Sequence, residues 1–382
     1  MLKIVTIIGA RPQIIKAAAL SRIIQKNYKD SIKEVIVHTG QHYDTKMSQV
    51  FIDELNIPAP NYNFGVGSST HGAQTGKMIR EIEEILFQEY PDYVIIYGDT
   101  NSTLAGAIAA SKMNIPVVHI EAGLRSFNKS MPEEINRIMA DHVSTILFTP
   151  TQTGLENLVK EGFSATSSKP FTQDNPGLLH CGDVMYDNTL YFKKLAFEKS
   201  TIIKDQKLSN NEFILCTIHR NNNTDNPERL NTIFGTLNEL SIANKLDIVM
   251  PLHPRTARAV EESLEKPIDE AIHNNPRFKL LPPVSFLDMI MLEGQCRMVI
   301  TDSGGVQKEA YFFKKPSIIL RSETEWKEIV DAGAGIVTDV KKDLILDAFE
   351  YFNANVEKLD FPSIFGDGNA AGFICQTILN NK

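Results

Sequence analysis

The sequence predicts an α/β protein made of two doubly wound, Rossmann-like parallel-sheet domains facing across a cleft. Three observations predict it. Short, near-continuous apolar runs such as Leu2 to Gly9 (LKIVTIIG) are buried on both faces only in a parallel sheet. Segments of helical period alternate with those runs. The 382 residues also exceed what one compact core accommodates. Hydrophobic content of 42% and charged content of 23% are ordinary for a globular chain. A net charge of −8 argues against general nucleic-acid binding but leaves room for a local basic pocket for a small anion. No apolar run reaches membrane-spanning length, and Arg11 and Lys16 follow the first run rather than precede it, so no membrane span or signal peptide is expected and a cytoplasmic location is. Cys181, Cys216, Cys296 and Cys375 lack CxxC spacing and are expected as free thiols, with neither disulfide nor metal site.

In the first half, strands are expected at 2–9, 34–40, 93–98 and 117–120, with helices between them. Pro12 suits the first turn of a helix after the first strand, which places Arg11 at the strand's carboxyl end and Lys16 one turn further on. In open α/β sheets that edge is where ligands bind. Gln41 and His42 follow the second strand, and a helix is expected from about Met47 to Leu55. The Pro/Gly/Ser/Asn-rich stretch 56–72 reads as a long loop and 73–90 as an amphipathic helix. Asp99 ends the third strand ahead of a small-residue helix, and Glu121 ends the fourth. Pro132, Glu133 and Glu134 open a further helix, where the two carboxylates complement the helix dipole. Strands at 145–149 and 178–182 complete the first domain. Its boundary is set near Asp183, so the domains are 1–183 and 184–365, with a helix in 366–382 returning to the first.

The second half repeats the pattern. His219 and Arg220 end a strand at 213–218, and His253 and Arg255 follow a strand at 247–251. A strand at 298–301 breaks at Asp302-Ser303-Gly304-Gly305 before a helix from Val306 to Phe313, and Arg321 follows a strand at 317–320. Glycines let backbone approach a ligand, and the first N–H groups of a helix have no partner within it, so Ser303, Gly304 and Gly305 suit a phosphate. Glu309, just over one turn in, suits a ribose. One edge thus offers a diphosphate and ribose grip, while the other offers Asp99, Glu121 and Glu133, which suit a sugar. A nucleotide sugar fits both. No GxGxxG fingerprint and no metal cage stand in the sequence, so hydride chemistry and a cofactor are not expected.

Gly9-Ala10-Arg11-Pro12, Gly98-Asp99-Thr100, His119-Ile120-Glu121-Ala122-Gly123-Leu124-Arg125, Pro132-Glu133-Glu134-Ile135-Asn136-Arg137, His219-Arg220 and Thr301-Asp302-Ser303-Gly304-Gly305 with Gln307 and Glu309 occur in this order. The set resembles the non-hydrolysing UDP-N-acetylglucosamine 2-epimerase family from about residue 2 to 372. HIEAGLR and PEEINR together are specific; Gly-Gly alone is not. The resemblance implies a GT-B architecture, a homodimer and a UDP-sugar substrate, with Asp99, Glu121 and Glu133 as acid/base carboxylates and His219 near the diphosphate. It further implies substrate contacts from Arg11, Lys16, Arg137, Arg220, His253, Phe286, Ser303, Gly304, Gly305, Glu309 and Arg321. The same architecture serves glycosyltransferases, against which the paired motifs argue. Three departures stand out. Gln13 replaces a Glu of typical members, Tyr43 replaces the Arg of their Gln-His-Arg activator segment, and Thr324-Glu325-Trp326-Lys327 replaces Thr-Glu-Arg-Pro. They resemble the branch acting on UDP-2,3-diacetamido-2,3-dideoxy-glucuronate.

Overall fold

The computed structural model describes residues 1–41 and 58–381. Contacts divide the chain into two compact units, Met1–Asn188 with Ser363–Lys382, and Thr189–Pro362. Among the described residues the first unit holds seven strands: β1 (Leu2–Ile8), β2 (Ile32–His38), β3 (Tyr62–Asn63), β4 (Tyr93–Tyr97), β5 (Val117–Ile120), β6 (Ile146–Thr149) and β7 (Gly177–His180). All pair in parallel in the order β3-β2-β1-β4-β5-β6-β7. The second holds β8 (Phe213–Thr217), β9 (Asp247–Pro251), β10 (Phe278–Leu281), β11 (Met298–Thr301), β12 (Ser317–Ile319) and β13 (Gly335–Val337), again all parallel, in the order β10-β9-β8-β11-β12-β13. Both sheets are doubly wound, as expected of two Rossmann-like units of the GT-B class. The strand order reverses direction between β1 and β4 and between β8 and β11, and connections there depart to opposite faces.

Burial follows the apolar runs. Val5, Ile7, Val35, Val37, Val94 and Ile96 pack against Met78, Ile82 and Leu86 of the helix His71–Glu89 and the alanines of the helix Asn101–Lys112. Small residues bring that second helix close to the sheet: a methyl on Gly106 would stand 3.0 Å from Ile96. In the other unit Ile214, Cys216, Met250 and Ile300 meet Phe234 and Leu237 on one face together with Phe349 and Phe352, while Leu215, Val249 and Val299 meet Leu292 and Ala310 on the other. Cys181, Cys216, Cys296 and Cys375 are free. Among the described residues no helix is long and apolar enough to cross a membrane.

Three local expectations are corrected. Tyr62–Asn63 lies in the stretch read as a loop but adds as an edge strand to β2. Gly335–Val337, for which the sequence predicts no strand, pairs with β12; three residues of small and branched type are too short to show a period. The helix after β11 starts at Gly304 rather than Val306, so both glycines lie in its first turn. His42, Tyr43 and the helix expected over 47–55 lie outside the described residues.

The chain returns to the first unit through Ala370–Leu379, whose first turn is held by Asp187: its carboxylate accepts from Ala370 N at 3.1 Å and Ala371 N at 2.8 Å. Burial, with Asp183 and Asp367 nearby, outweighs those bonds and pushes the Asp187 pKa up from 3.8 to about 6. A pKa raised by folding means that the folded state binds protons more readily than the unfolded one. The contribution is therefore full below pH 3.8 and is lost as pH rises through about 6. Chemical unfolding of wild type and Asp187→Asn across pH 3.5–7.5 should show the difference between them moving against the wild type by roughly 2–3 kcal/mol over that interval. A pH-independent difference would contradict the assignment.

Candidate functional site

Each sheet presents polar residues where its strand order reverses. In the first unit the loop after β1 and the loop after β4 are tied by one buried side chain. Gln13 accepts hydrogen bonds from Gly9 N (2.9 Å) and Ala10 N (3.1 Å) through Oε1, and its Nε2 donates to Tyr97 O and Thr103 Oγ1, both at 2.9 Å. All four hydrogen-bonding positions of the amide are filled. Beside this bridge Lys16 reaches Glu121 Oε1 at 2.5 Å, with both side chains 11% exposed. Gly98 (φ +59°) lies against that pair, since a methyl there would stand 3.3 Å from Lys16 Nζ and 3.4 Å from Glu121 Oε1.

Asp99 joins the cluster through Arg137, whose Nη2 stands 2.6 Å from Asp99 Oδ2 while Nη1 stands 2.6 Å from Glu134 Oε2. Burial raises the Asp99 pKa; Arg137 and Lys16 pull it back, and Glu121 adds to the rise. Asn136 donates to Asp99 O at 2.9 Å. Glu121 itself has φ +72°, a left-handed conformation that costs a side-chain-bearing residue roughly 1–2 kcal/mol. Its N–H and that of Ala122 both donate to Phe148 O, at 3.1 and 3.0 Å, which helps hold the turn.

Of the first-unit residues singled out from sequence, Lys16, Asp99, Glu121 and Arg137 form one cluster. Arg11 sits exposed at the first position of the helix Arg11–Ile23. Glu133 is exposed on the first turn of Pro132–His142, whereas its neighbour Glu134 is buried and accepts from Ser126 N and Phe127 N, both at 2.9 Å. Glu134 thus organises the loop that Glu133 only flanks. Gln41 is bonded to Ser102 N at 3.0 Å.

A buried network lies under this cluster. His119 Nδ1 stands 2.7 Å from Asp141 Oδ1, and Nε2 stands 2.8 Å from Gly98 O. Asp141 also meets Arg125 at 2.7 Å, and Arg125 grips Glu161 with two bonds of 2.7 Å. Burial opposes ionisation of Asp141, yet His119 and Arg125 hold its pKa below the usual value. Sequence reasoning assigned nothing to Asp141; only the helical spacing of Asp141 from Arg137 would have placed it on the sheet-facing side.

In the second unit the corresponding bridge is Asp302, fully buried at the end of β11. It accepts from His219 N at 3.0 Å, Arg220 N at 3.0 Å and Asn223 Nδ2 at 3.0 Å, which ties the loop after β8 to the loop after β11. Sequence reasoning passed over Asp302 in favour of Ser303, although an acidic residue ending a buried strand was the available signal. His219 Nδ1 lies 3.4 Å from Asp302, and its ring centroid lies 6.1 Å from that of His253. Burial lowers the His219 pKa, against the opposing effect of Asp302 and with Arg220 and His253 adding to the fall. His253 caps the helix Pro254–Ser263 by accepting from Arg255 N at 3.2 Å. A cavity of about 560 Å³ opens beyond β9 and β10, lined by Leu252, Pro254, Arg258 and Leu281 to Pro283.

Ser303 caps the helix Gly304–Phe312 through Val306 N, leaving the first N–H groups of that helix pointing out of its end. Trp326 Nε1 donates to Gly304 O at 2.9 Å. Arg321 is paired with Glu325 at 2.7 Å, and the Glu325 carboxylate lies where any side chain on Gly304 would have to go. Glu309 neighbours Glu293, a fully buried acid whose pKa is driven well up by burial and by the Glu309 charge. Phe286 packs edge-on against Phe192 at 5.2 Å. Among the described residues no group of three or more His, Cys, Asp or Glu could hold a metal ion.

Comparison with known proteins adds to this geometry. A family model described as UDP-N-acetylglucosamine 2-epimerase matches residues 25–379. A protein of Methanococcus maripaludis described as a UDP-N-acetylglucosamine 2-epimerase homolog is 47% identical over 99% of this chain and 100% of its own length. The UDP-2,3-diacetamido-2,3-dideoxy-D-glucuronate 2-epimerase of Pseudomonas aeruginosa is 44% identical over 98% of this chain and 99% of its own. Among solved structures, the Methanocaldococcus jannaschii UDP-GlcNAc 2-epimerase in complex with UDP-GlcNAc and UDP superposes with a TM-score of 0.80, at 38% identity, covering 99% of each chain.

The electrostatics of the first-unit cluster can be tested without any ligand. Arg137 is the largest of the influences holding the buried Asp99 down. Arg137→Met should therefore raise the Asp99 carboxyl pKa further in a carbon-detected NMR titration. An unchanged or lower value would show that the pair does not control Asp99.

Proposed function

Because this chain belongs to the UDP-N-acetylglucosamine 2-epimerase family, we propose that it inverts C2 of a UDP-linked 2-acetamido sugar, interconverting UDP-N-acetylglucosamine and UDP-N-acetylmannosamine. The observation that carries the proposal is the convergence of Lys16, Asp99, Glu121 and Arg137 at the switch point of a chain matched over nearly its whole length by such epimerases.

The chemistry explains why such a site needs paired carboxylates. The C2 proton of a pyranose acetal has no neighbouring carbonyl to stabilise a carbanion, so direct removal is prohibitive. Elimination avoids the carbanion: a carboxylate takes the C2 proton, the C2–H electron pair becomes the C1–C2 double bond, and UDP leaves C1 with its bonding pair. The resulting 2-acetamidoglucal then takes UDP back at C1 while a second acid delivers a proton to C2 from the other face. Asp99 and Glu121 are assigned these acid/base roles. A raised pKa lets Asp99 hold a proton more readily than an ordinary carboxyl, and Lys16 and Arg137 keep the cluster from accumulating negative charge. Glu133 is kept as a third acid/base candidate by the family resemblance, although it is exposed. In the second unit, Ser303, Gly304 and Gly305 with His219, Arg220 and His253 are assigned the departing diphosphate, and Glu309 the ribose. Arg11 is assigned to the diphosphate as well, and Phe286 and Arg321 to the substrate's periphery.

A second reading concerns the sugar alone. The 44% identity to the diacetamido-glucuronate enzyme, together with Gln13 and Trp326-Lys327, favours the same reaction on a C3-acetamido uronate. The proposal extends to a cytoplasmic homodimer supplying precursors of cell-surface polysaccharide.

Incubation in D₂O with UDP-N-acetylglucosamine, and in parallel with the diacetamido-glucuronate, should place deuterium at C2 without any acceptor, and the larger kcat/KM names the sugar. Absence of exchange with both would remove the proposal. Asp99→Asn and Glu121→Gln should each lower kcat by about 10²–10⁴ while UDP affinity stays within a few-fold of wild type.

A further inference from the structure

The stretch Thr324-Glu325-Trp326-Lys327 departs from the family's usual Thr-Glu-Arg-Pro, and nothing above accounts for the tryptophan. Trp326 is 5% exposed. Its Nε1–H donates to the carbonyl of Gly304 at 2.9 Å, and the ammonium of Lys308 stands over its ring, 4.5 Å from the centroid. Gly304 and Lys308 are four residues apart and so share one helix face, which the indole spans lengthwise. The loop that carries the indole is itself fixed: Thr324 Oγ1 stands 2.6 Å from Gln307 Oε1 and accepts from Trp326 N at 3.2 Å.

The bond from Trp326 has a consequence set by peptide geometry. The Gly304 carbonyl and the Gly305 N–H belong to one planar, trans peptide unit, so they point in opposite directions. Fixing the carbonyl therefore fixes the line along which the Gly305 N–H emerges. Two successive glycines without this anchor would be the least restrained pair in the helix. A carbonyl that accepts a hydrogen bond also polarises its own peptide, which makes the attached N–H a stronger donor. A cation over the indole face acts in the same direction, drawing electron density from the ring and strengthening its N–H as a donor. The four groups form a chain of contacts: Lys308 ammonium, Trp326 indole, Gly304 carbonyl, Gly305 N–H.

We propose that Trp326 is a positioning residue for diphosphate binding, holding and polarising the Gly304–Gly305 peptide so that the Gly305 N–H meets a phosphate oxygen. The inference rests on the assignment of Ser303, Gly304 and Gly305 to the diphosphate of a UDP-sugar. It adds to that assignment a side chain that acts through the Gly304–Gly305 peptide.

Isothermal titration of the whole chain with UDP and with uridine separates the possibilities, because only UDP carries phosphates. Trp326→Phe keeps the aromatic ring and its packing but removes the N–H. It should weaken UDP about tenfold and leave uridine within twofold of wild type. Lys308→Met, which keeps the indole and its bond but removes the cation, should weaken UDP about two- to threefold with uridine again unchanged. Unchanged UDP affinity in Trp326→Phe, or an equal loss for UDP and uridine, would overturn the inference, since either result leaves the indole with packing alone. If the wild type binds uridine but gains nothing from the two phosphates, the diphosphate assignment itself fails, and the inference falls with it.

Discussion

Each unit depends on a buried polar staple at the place where its own strand order reverses. Strands flanking a switch point send their connections to opposite faces, so the loops at their ends diverge and leave a crevice. Divergent loops have no reason to keep a fixed relation unless something joins them. In the first unit Gln13 does so, linking the Gly9-Ala10 amides to Tyr97 and Thr103. In the second, Asp302 collects the amides of His219 and Arg220. An amide serves the first place because it must both donate and accept. A carboxylate serves the second because His219 N, Arg220 N and Asn223 Nδ2 are all donors. Losing either would leave several buried backbone groups without partners, a larger cost than losing one exposed bond.

Charge is arranged in two tiers around the first staple. The upper tier, Lys16, Asp99, Glu121 and Arg137, is partly open, and its carboxylate Asp99 is held at a raised pKa. The lower tier, His119, Asp141 and Arg125, is closed, with Glu161 at its exposed margin, and Asp141 is held below its usual pKa. The contrast is one of partners. Asp141 meets two donors within 2.7 Å at no exposure, whereas Asp99 shares its surroundings with a second carboxylate. Groups that change protonation during a reaction belong in the first kind of environment, and groups that fix a framework belong in the second. The lower tier touches the upper through the Gly98 carbonyl, which accepts from His119 one residue before Asp99.

The parallel sheets and the strand ends were legible in the sequence because apolar runs and the polar residues that stop them are local signals. Arg11, Asp99, Glu121, His219 and Ser303 each follow such a run, and their places at the carboxyl edges could be read directly. What joins them could not. Lys16 and Glu121 are 105 residues apart in sequence, and no period or propensity links them. Gln13 stands out in the sequence only as a replacement for the family's Glu, and its four partners cannot be read there. The distinction between Glu133 and Glu134 was invisible for another reason: adjacent carboxylates in a first turn look alike, and only the fold of the 126–127 loop decides which is buried. Edge strands of two or three residues, such as β3 and β13, carry too few positions for a pattern.

A chain of net charge −8 repels a diphosphate at long range, and the groups proposed for that ligand in the second unit act locally instead. Beside the Arg220 guanidinium, those groups are dipolar. The first N–H groups of Gly304–Phe312 carry no formal charge and act over one turn only, so they are blind to the charge of the rest of the surface. His219 is held below its ordinary pKa by burial and by Arg220 and His253, so near neutral pH it is a neutral hydrogen-bonding group rather than a cation. Fixed dipoles suit a leaving group that must depart and then return. A cluster of full charges would hold free UDP far more tightly than the sugar-linked form, because the leaving group gains charge when the bond breaks. Oriented N–H groups favour the broken state by less, which keeps re-addition within reach and the reaction reversible.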